Sequence, residues 1–274
     1  MKKPVKRVVV VHDICCFGKA ALTNIIPVLS VMGVEVCPIP TMLLSTHTGG
    51  FGMPEILKLP DFIKKCDNHY SKLGIEFDKI FVGYLGTKEI VRNAIDFIKN
   101  NNSYTIIDPI FGDNGVCYSN FDMDYVNAQK ELIGYADLIT PNYTEACLLT
   151  DEDYNEEASL YKIERICNKL KEMGAKDILI TSVPIENSKE IGIAVFEDGK
   201  LFILNKERKE ENYPGTGDIF TSVVIGKLLK GFKLIESVDY AHKFVLSCIE
   251  KSLKYDYPKK EGVMLEANLK YLID

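Results

Sequence analysis

Residues 8–11 are four consecutive valines. With no polar position on either side of the strand alternation, they read as a parallel strand buried on both faces. The run ends at His12-Asp13, ahead of a turn containing Gly18. In residues 20–32 the period changes. Leu22, Ile25, Ile26, Leu29 and Met32 recur at helical spacing, with Pro27 as an internal kink and Gly33 as the stop. Residues 34–39 form a second apolar strand. The same alternation then continues. Helical patterns over 59–73, 89–100, 124–133 and 160–173 separate apolar runs at 79–86, 104–109, 138–140 and 177–182, and residues 145–149 open a further helix. Two polar, glycine-rich stretches interrupt it: 43–52, which reads as a loop over a site, and 110–115, a turn by composition.

Farther along the pattern becomes that of a hairpin, with residues 191–196 and 200–204 flanking Glu197-Asp198-Gly199. The charged run 206–212 reads as a solvated loop. An apolar helix after Asp218, a helix around 238–253 and a C-terminal helix including 265–273 complete the chain. Strands alternating with helices over short connections predict an α/β fold, with a mostly parallel central sheet, helices on both faces and the hairpin at one edge. With no internal repeat and no Pro-, Gly- or Ser-rich linker, residues 1–274 are expected to form one domain.

Composition narrows the class. The 274 residues are 46% hydrophobic, enough for a large core. A net charge of −6 lacks the basic excess of a nonspecific nucleic-acid or anionic-membrane binder, so neither partner is expected. No apolar run approaches the ~18 residues of a membrane span, and Met1-Lys2-Lys3-Pro4 leads into a strand rather than a signal-peptide core. The eight cysteines form no C-x-x-C pair, and Cys37, Cys147 and Cys248 sit in apolar runs. They read as reduced, buried thiols, and a cytoplasmic location is expected.

The chemistry concentrates at Pro214-Gly215-Thr216-Gly217-Asp218-Ile219-Phe220. A glycine turn entering a helix offers unpaired N–H groups and the positive end of the helix dipole to an anion. Asp218 then sets a carboxylate beside that anion, as needed to take a proton from an alcohol attacking phosphorus. From these residues alone, the plainer reading of Asp218 is a helix N-cap after a glycine turn. In an open α/β sheet the ligand crevice lies at the carboxyl ends of the strands, where Asp13, Tyr84, Asp108, Asn142, Glu145, Thr181 and Ser182 are expected. Neither G-x-x-x-x-G-K-S/T nor a G-x-G-x-x-G after the first strand is present.

Five motifs in order make the chain resemble the pyridoxal/pyridoxamine kinases, a branch of the ribokinase-like superfamily. They are Ser45-Thr46-His47-Thr48-Gly49, Gly83-Tyr84-Leu85-Gly86, Asp108-Pro109-Ile110-Phe111-Gly112-Asp113-Asn114-Gly115, Thr140-Pro141-Asn142-Tyr143-Thr144-Glu145-Ala146 and Gly215-Thr216-Gly217-Asp218. The resemblance implies a ribokinase-like fold without a separate lid domain, a homodimer, and use of ATP with Mg²⁺. It leaves K⁺ activation open. Gly215, Thr216 and Gly217 would form the anion hole for the transferring phosphate, and Asp218 would deprotonate the 5′-hydroxymethyl group of a B6 vitamer. Asp113 and Glu145 would lie by the triphosphate and its Mg²⁺, partly through water. Asn142, Thr181 and Ser182 would face the nucleotide. Thr48 and Tyr84 would line the pyridine pocket with His47 nearby.

One departure falls at Asp13-Ile14, where many members have Ser-His. Asp13 is therefore expected to contact the substrate, through the ring N–H⁺ or the amine of pyridoxamine, or else to cap the following helix. The nearest rival is a hydroxymethylpyrimidine kinase, which usually carries G-x-D-x-x-G-G-A-G where this chain has Asp13-Ile14-Cys15-Cys16-Phe17-Gly18. A second rival is a nucleotide-binding regulatory protein without turnover, against which the intact glycine turn and Asp218 argue.

Overall fold

The computed structural model describes residues 4–155, 157–185, 190–207 and 213–273. Its strands are β1 (Lys6–Phe17), β2 (Val34–Thr46), β3 (Ile56–Lys58), β4 (Lys79–Val82), β5 (Tyr104–Ile107), β6 (Gly112–Asp113), β7 (Val116–Cys117), β8 (Leu138–Ile139), β9 (Asp177–Pro184), β10 (Glu190–Glu197) and β11 (Lys200–Glu207). Among the described residues one nine-stranded sheet runs β11-β10-β9-β8-β5-β4-β1-β2-β3, and β6 and β7 form a small separate ribbon. The six strands from β9 to β2 are parallel, and β10, β11 and β3 are antiparallel additions at the two edges.

The four valines explain why the sheet is covered twice. Val9 and Val11 belong to one core, and Val8 and Val10 to the other, because successive strand residues face opposite ways. Helices α2 (Phe62–Leu73), α3 (Lys88–Asn101), α4 (Met123–Ile133), α5 (Tyr143–Leu149) and α6 (Leu160–Glu172) close the first core. The second is closed by α1 (Leu22–Val31), α7 (Thr216–Leu229) and α8 (Leu234–Ser252).

The predicted α/β alternation and the edge hairpin are present; the boundaries differ in instructive ways. β1 does not stop at His12-Asp13 but continues to Phe17, because β2 keeps pairing with it beyond a register shift between His12 and Ile14. β2 in turn absorbs residues 43–46, which the polar pattern assigns to a loop. β3 carries no sequence signal, since its three residues are all exposed and show no alternation. The expected C-terminal helix is a single 3₁₀ turn, Leu269–Leu272. Lys206 and Glu207 end β11 rather than begin a loop, and the rest of that charged run, 208–212, lies outside the described residues.

Candidate active site

The strand order reverses at β1, whose sequence neighbour β2 lies on one side and β4 on the other. Such a switch point opens a crevice at the carboxyl ends of the strands. α7 points its first turn into the same region, and local sequence explains how. Gly215 caps α7 at φ 77°. A Cβ there would approach Lys19 O to 2.1 Å and Asn24 Nδ2 to 2.5 Å, so both the conformation and the packing require glycine. Asn24 Nδ2 donates to Lys19 O at 2.8 Å and to Gly215 O at 3.2 Å, tying the turn to α1. The Thr216 hydroxyl donates to Tyr213 O at 3.0 Å. Gly217 differs: it is exposed, and a Cβ would meet nothing within 4 Å. Glycine in a helix costs about 0.5–1 kcal/mol relative to alanine. With no packing reason for it, Gly217 leaves a side-chain-free approach to the N–H groups of the first turn.

Asp218 follows in that turn and is buried. Its Oδ2 accepts the Ala21 N–H at 2.6 Å. Ala21 holds φ 57°, unusual for a residue with a side chain, and caps α1. Strain of this kind persists where surrounding contacts over-determine it. On the other oxygen, Asp218 Oδ1 lies 3.2 Å from His12 Nε2, an ion-pair distance with the ring N–H aimed off the hydrogen-bond line. His12 Nδ1 lies 2.7 Å from Asp13 Oδ1, and Asp13 Oδ2 accepts the Cys15 thiol at 3.3 Å. Both oxygens of Asp13 are thus engaged within β1. Asp13, expected as a substrate contact, also contacts its neighbour His12, because the register shift breaks the alternation that would otherwise separate neighbouring side chains.

Sequence reading passed over His12. Adjacency to Asp13 was its only visible signal, and the partner at position 218 lies on an element that only the fold brings near. Burial disfavours charge on the imidazole, but the hydrogen bond to Asp13 and the attraction of the Asp218 and Asp13 carboxylates outweigh it and raise its pKa to about 10. Asp108, at the end of β5, accepts the Thr221 hydroxyl at 3.2 Å. Burial, and then repulsion from Asp218, push its carboxyl up to about 7.

Nearby, Asn142 and Glu145 form a capping box on α5. Asn142 Oδ1 accepts the Glu145 N–H at 2.9 Å, and Glu145 Oε2 accepts the Asn142 N–H at 2.9 Å. Glu145 Oε1 also receives the amides of Phe111 and Gly112 at 3.0 and 3.3 Å, while Asn142 Nδ2 donates to Gly112 O at 2.7 Å. Burial, then repulsion from Asp108, raise the Glu145 pKa in spite of these amides. The box therefore anchors the ribbon that carries Asp113, whose half-buried carboxylate accepts the Asn114 N–H at 2.9 Å. Thr181 pairs with Asn142 across the β8–β9 end, donating its N–H to Pro141 O at 3.0 Å. Ser182 is exposed at φ 57°.

Just past β4, half-buried Tyr84 takes a hydrogen bond from Asn120 Nδ2 at 2.9 Å on its hydroxyl, and on the other side of β1 Thr48 is exposed just past β2. His47, expected as a substrate contact, has both ring nitrogens engaged by backbone: Nδ1 accepts the Gly49 N–H at 3.0 Å, and Nε2 donates to Lys260 O at 2.7 Å. It clamps the loop after β2 to the C-terminal segment.

Among the described residues no three His, Cys, Asp or Glu side chains gather as a ready metal cage. A Mg²⁺ held by one or two carboxylates, with phosphate oxygens and water completing its shell, needs no such cage.

The phosphomethylpyrimidine kinase family matches residues 26–263. The chain belongs to this family. The match begins after the 13–18 segment that departs from the glycine pattern of hydroxymethylpyrimidine kinases. A crystal structure of a "putative phosphomethylpyrimidine kinase" from Bacteroides thetaiotaomicron, with pyridoxal, superposes with a TM-score of 0.93 at 38% identity, covering 98% of this chain and 96% of that one. Pyridoxal kinase from Lactobacillus plantarum superposes with a TM-score of 0.89 at 30% identity, covering 98% and 96%. The hydroxymethylpyrimidine/phosphomethylpyrimidine kinase of Aquifex aeolicus is 28% identical over 178 residues, 63% of this chain and 67% of that protein. The family member described here has the ribokinase-like fold and is a kinase of that superfamily.

Proposed function

We propose that the protein transfers the γ-phosphoryl group of ATP to the 5′-hydroxymethyl group of a B6 vitamer. The observation that carries this reading is Asp218. One oxygen is fixed by the Ala21 N–H and the other faced by His12, at the foot of a helix start left bare by Gly217. A fixed carboxylate beside an anion site is what in-line attack of an alcohol on a phosphate requires. Asp218 takes the hydroxymethyl proton as that oxygen bonds to phosphorus. The amides of the Gly215–Gly217 turn receive the charge that builds on the transferring group. Asp113, and Glu145 through water, would hold Mg²⁺ by the triphosphate, with Asn142, Thr181 and Ser182 toward the nucleotide. Mg²⁺ supplies neutralisation of phosphate charge. Tyr84 and Thr48 face the ring of the acceptor; the likeness to the structure with pyridoxal supports an acceptor of this kind.

The family match and the Aquifex relative favour a second acceptor, hydroxymethylpyrimidine, also an aromatic nitrogen heterocycle with a hydroxymethyl arm. Purified protein with ATP and Mg²⁺ is expected to release ADP with pyridoxal, pyridoxine or pyridoxamine at least tenfold faster than with hydroxymethylpyrimidine. A reversed preference would transfer the assignment to the pyrimidine. ATP binding with no turnover on any of the four would leave a regulatory protein instead.

A further inference from the structure

His12 stands among three buried carboxylates. Asp13 and Asp218 face its two ring nitrogens at 2.7 and 3.2 Å, and Asp108 lies close enough to feel both His12 and Asp218. A neutral imidazole has one N–H and one bare lone pair, and would have to turn the lone pair toward one of the two carboxylates. The doubly protonated ring sets an N–H against Asp13 Oδ1, beside the Asp13 amide that lies 2.9 Å from the same nitrogen, and brings its second, off-line N–H within ion-pair distance of Asp218 Oδ1. Its enclosure is close to complete. The ring is 2% exposed, meets Phe81 edge-on at 6.1 Å between centroids, and packs over Gly83, where a Cβ would come within 2.0 Å. Whatever His12 does to a substrate, it does through Asp218.

We propose that His12 is a charged positioning residue: an imidazolium locked between Asp13 and Asp218 that orients the Asp218 carboxylate for proton abstraction, with Asp13 as its anchor. This rests on the reading of Asp218 as the base. The Ala21 N–H and the His12 ring hold separate oxygens of Asp218, so the carboxylate has one orientation before the alcohol arrives. The titratable groups around the ring are consistent with a retained charge. Asp13 comes from β1 with the Cys15 thiol donating to it, Asp218 from α7 and Asp108 from the end of β5, while the phenols of Tyr84 and Tyr118 stand behind these carboxylates. An imidazolium here offsets repulsion among carboxylates that would otherwise favour their protonation.

Histidine-selective ¹⁵N NMR of the unliganded protein tests the charge with no substrate present. Of the four histidines, one is expected to keep both ring nitrogens protonated above pH 8, with its signals missing in His12→Gln. A neutral His12 ring at pH 8 overturns the proposal. His12→Gln keeps an N–H donor without the charge. It is expected to lower kcat roughly 100-fold, the scale of a lost acid–base contribution, with KM for ATP little changed. The acid limb of its kcat/KM profile should move up by about one pH unit. Asp13→Asn removes an anion while the ring keeps its charge at acid pH, so it should not raise the acid limb and should lower kcat by less than His12→Gln. A folded His12→Gln variant with the parent kcat and pH profile would overturn the positioning role. If Asp218→Asn remains active while His12 is charged, the base assignment fails and the ring is only a structural ion.

Discussion

Asp218→Asn is expected to lower kcat by roughly 10³-fold or more while leaving ATP binding nearly unchanged, within the range for loss of a positioned general base. Asparagine has the volume of aspartate, and its Oδ1 can still accept the Ala21 N–H that Asp218 takes at 2.6 Å, so helix α7 and the strained Ala21 turn have no steric reason to move. The amide cannot take the alcohol proton. It also leaves the His12 cation with Asp13 as its remaining close carboxylate partner, so the ring's pKa should fall from about 10. Separating kcat from KM in a coupled ADP assay, with calorimetric ATP titration as the control, distinguishes loss of chemistry from loss of binding. A variant within tenfold of the parent kcat would remove Asp218 from the reaction.

The second large effect is a contrast between two glycines in one turn. Gly215→Ala is expected to destabilise the protein by about 3 kcal/mol, because it combines positive φ with a methyl placed against backbone. The opposing atoms, Lys19 O at 2.1 Å and Asn24 Nδ2 at 2.5 Å, belong to the contact that docks α7 on α1. Gly217→Ala should do the reverse. Its Cβ meets no atom within 4 Å, and alanine raises helix stability by about 0.5 kcal/mol, so the melting temperature holds or rises. Activity should nevertheless fall by at least tenfold, since the methyl would stand where the proposed mechanism brings a phosphate to the first-turn amides. Thermal melts and steady-state kinetics on the two variants read both axes. Full activity in Gly217→Ala would argue that no anion comes close to this turn.

Both predictions begin from a motif that could be read directly. Gly215-Thr216-Gly217-Asp218 announces a glycine turn, a helix start and a carboxylate, and these are local properties of a few residues. The Asn142–Glu145 box is equally local, since N-x-x-E is a helix-start pattern, and α5 forms it. What could not be read is which function Glu145 serves beyond the cap. Its second oxygen reaches the amides of Phe111 and Gly112, more than thirty residues earlier, and so ties together two of the quoted motifs. His47 shows the opposite outcome. Its position in a polar loop suggests exposure to a ligand, but a carbonyl 213 residues away, that of Lys260, takes one of its nitrogens.

The sequence by itself determined the alternation of strands and helices, the edge hairpin and the turn that opens α7, because each depends on periodicity or turn chemistry within about ten residues. It also contained the family motifs at strand ends. Tertiary structure decided how those ends combine. The Ala21 N–H reaches Asp218 across 197 positions, and it does so only because β1, α1 and α7 meet at the point where the strand order reverses. The register shift after His12 makes Asp13 the partner of a buried imidazole. Charge, burial and strain of this kind arise between distant segments, and no local pattern in the chain encodes them.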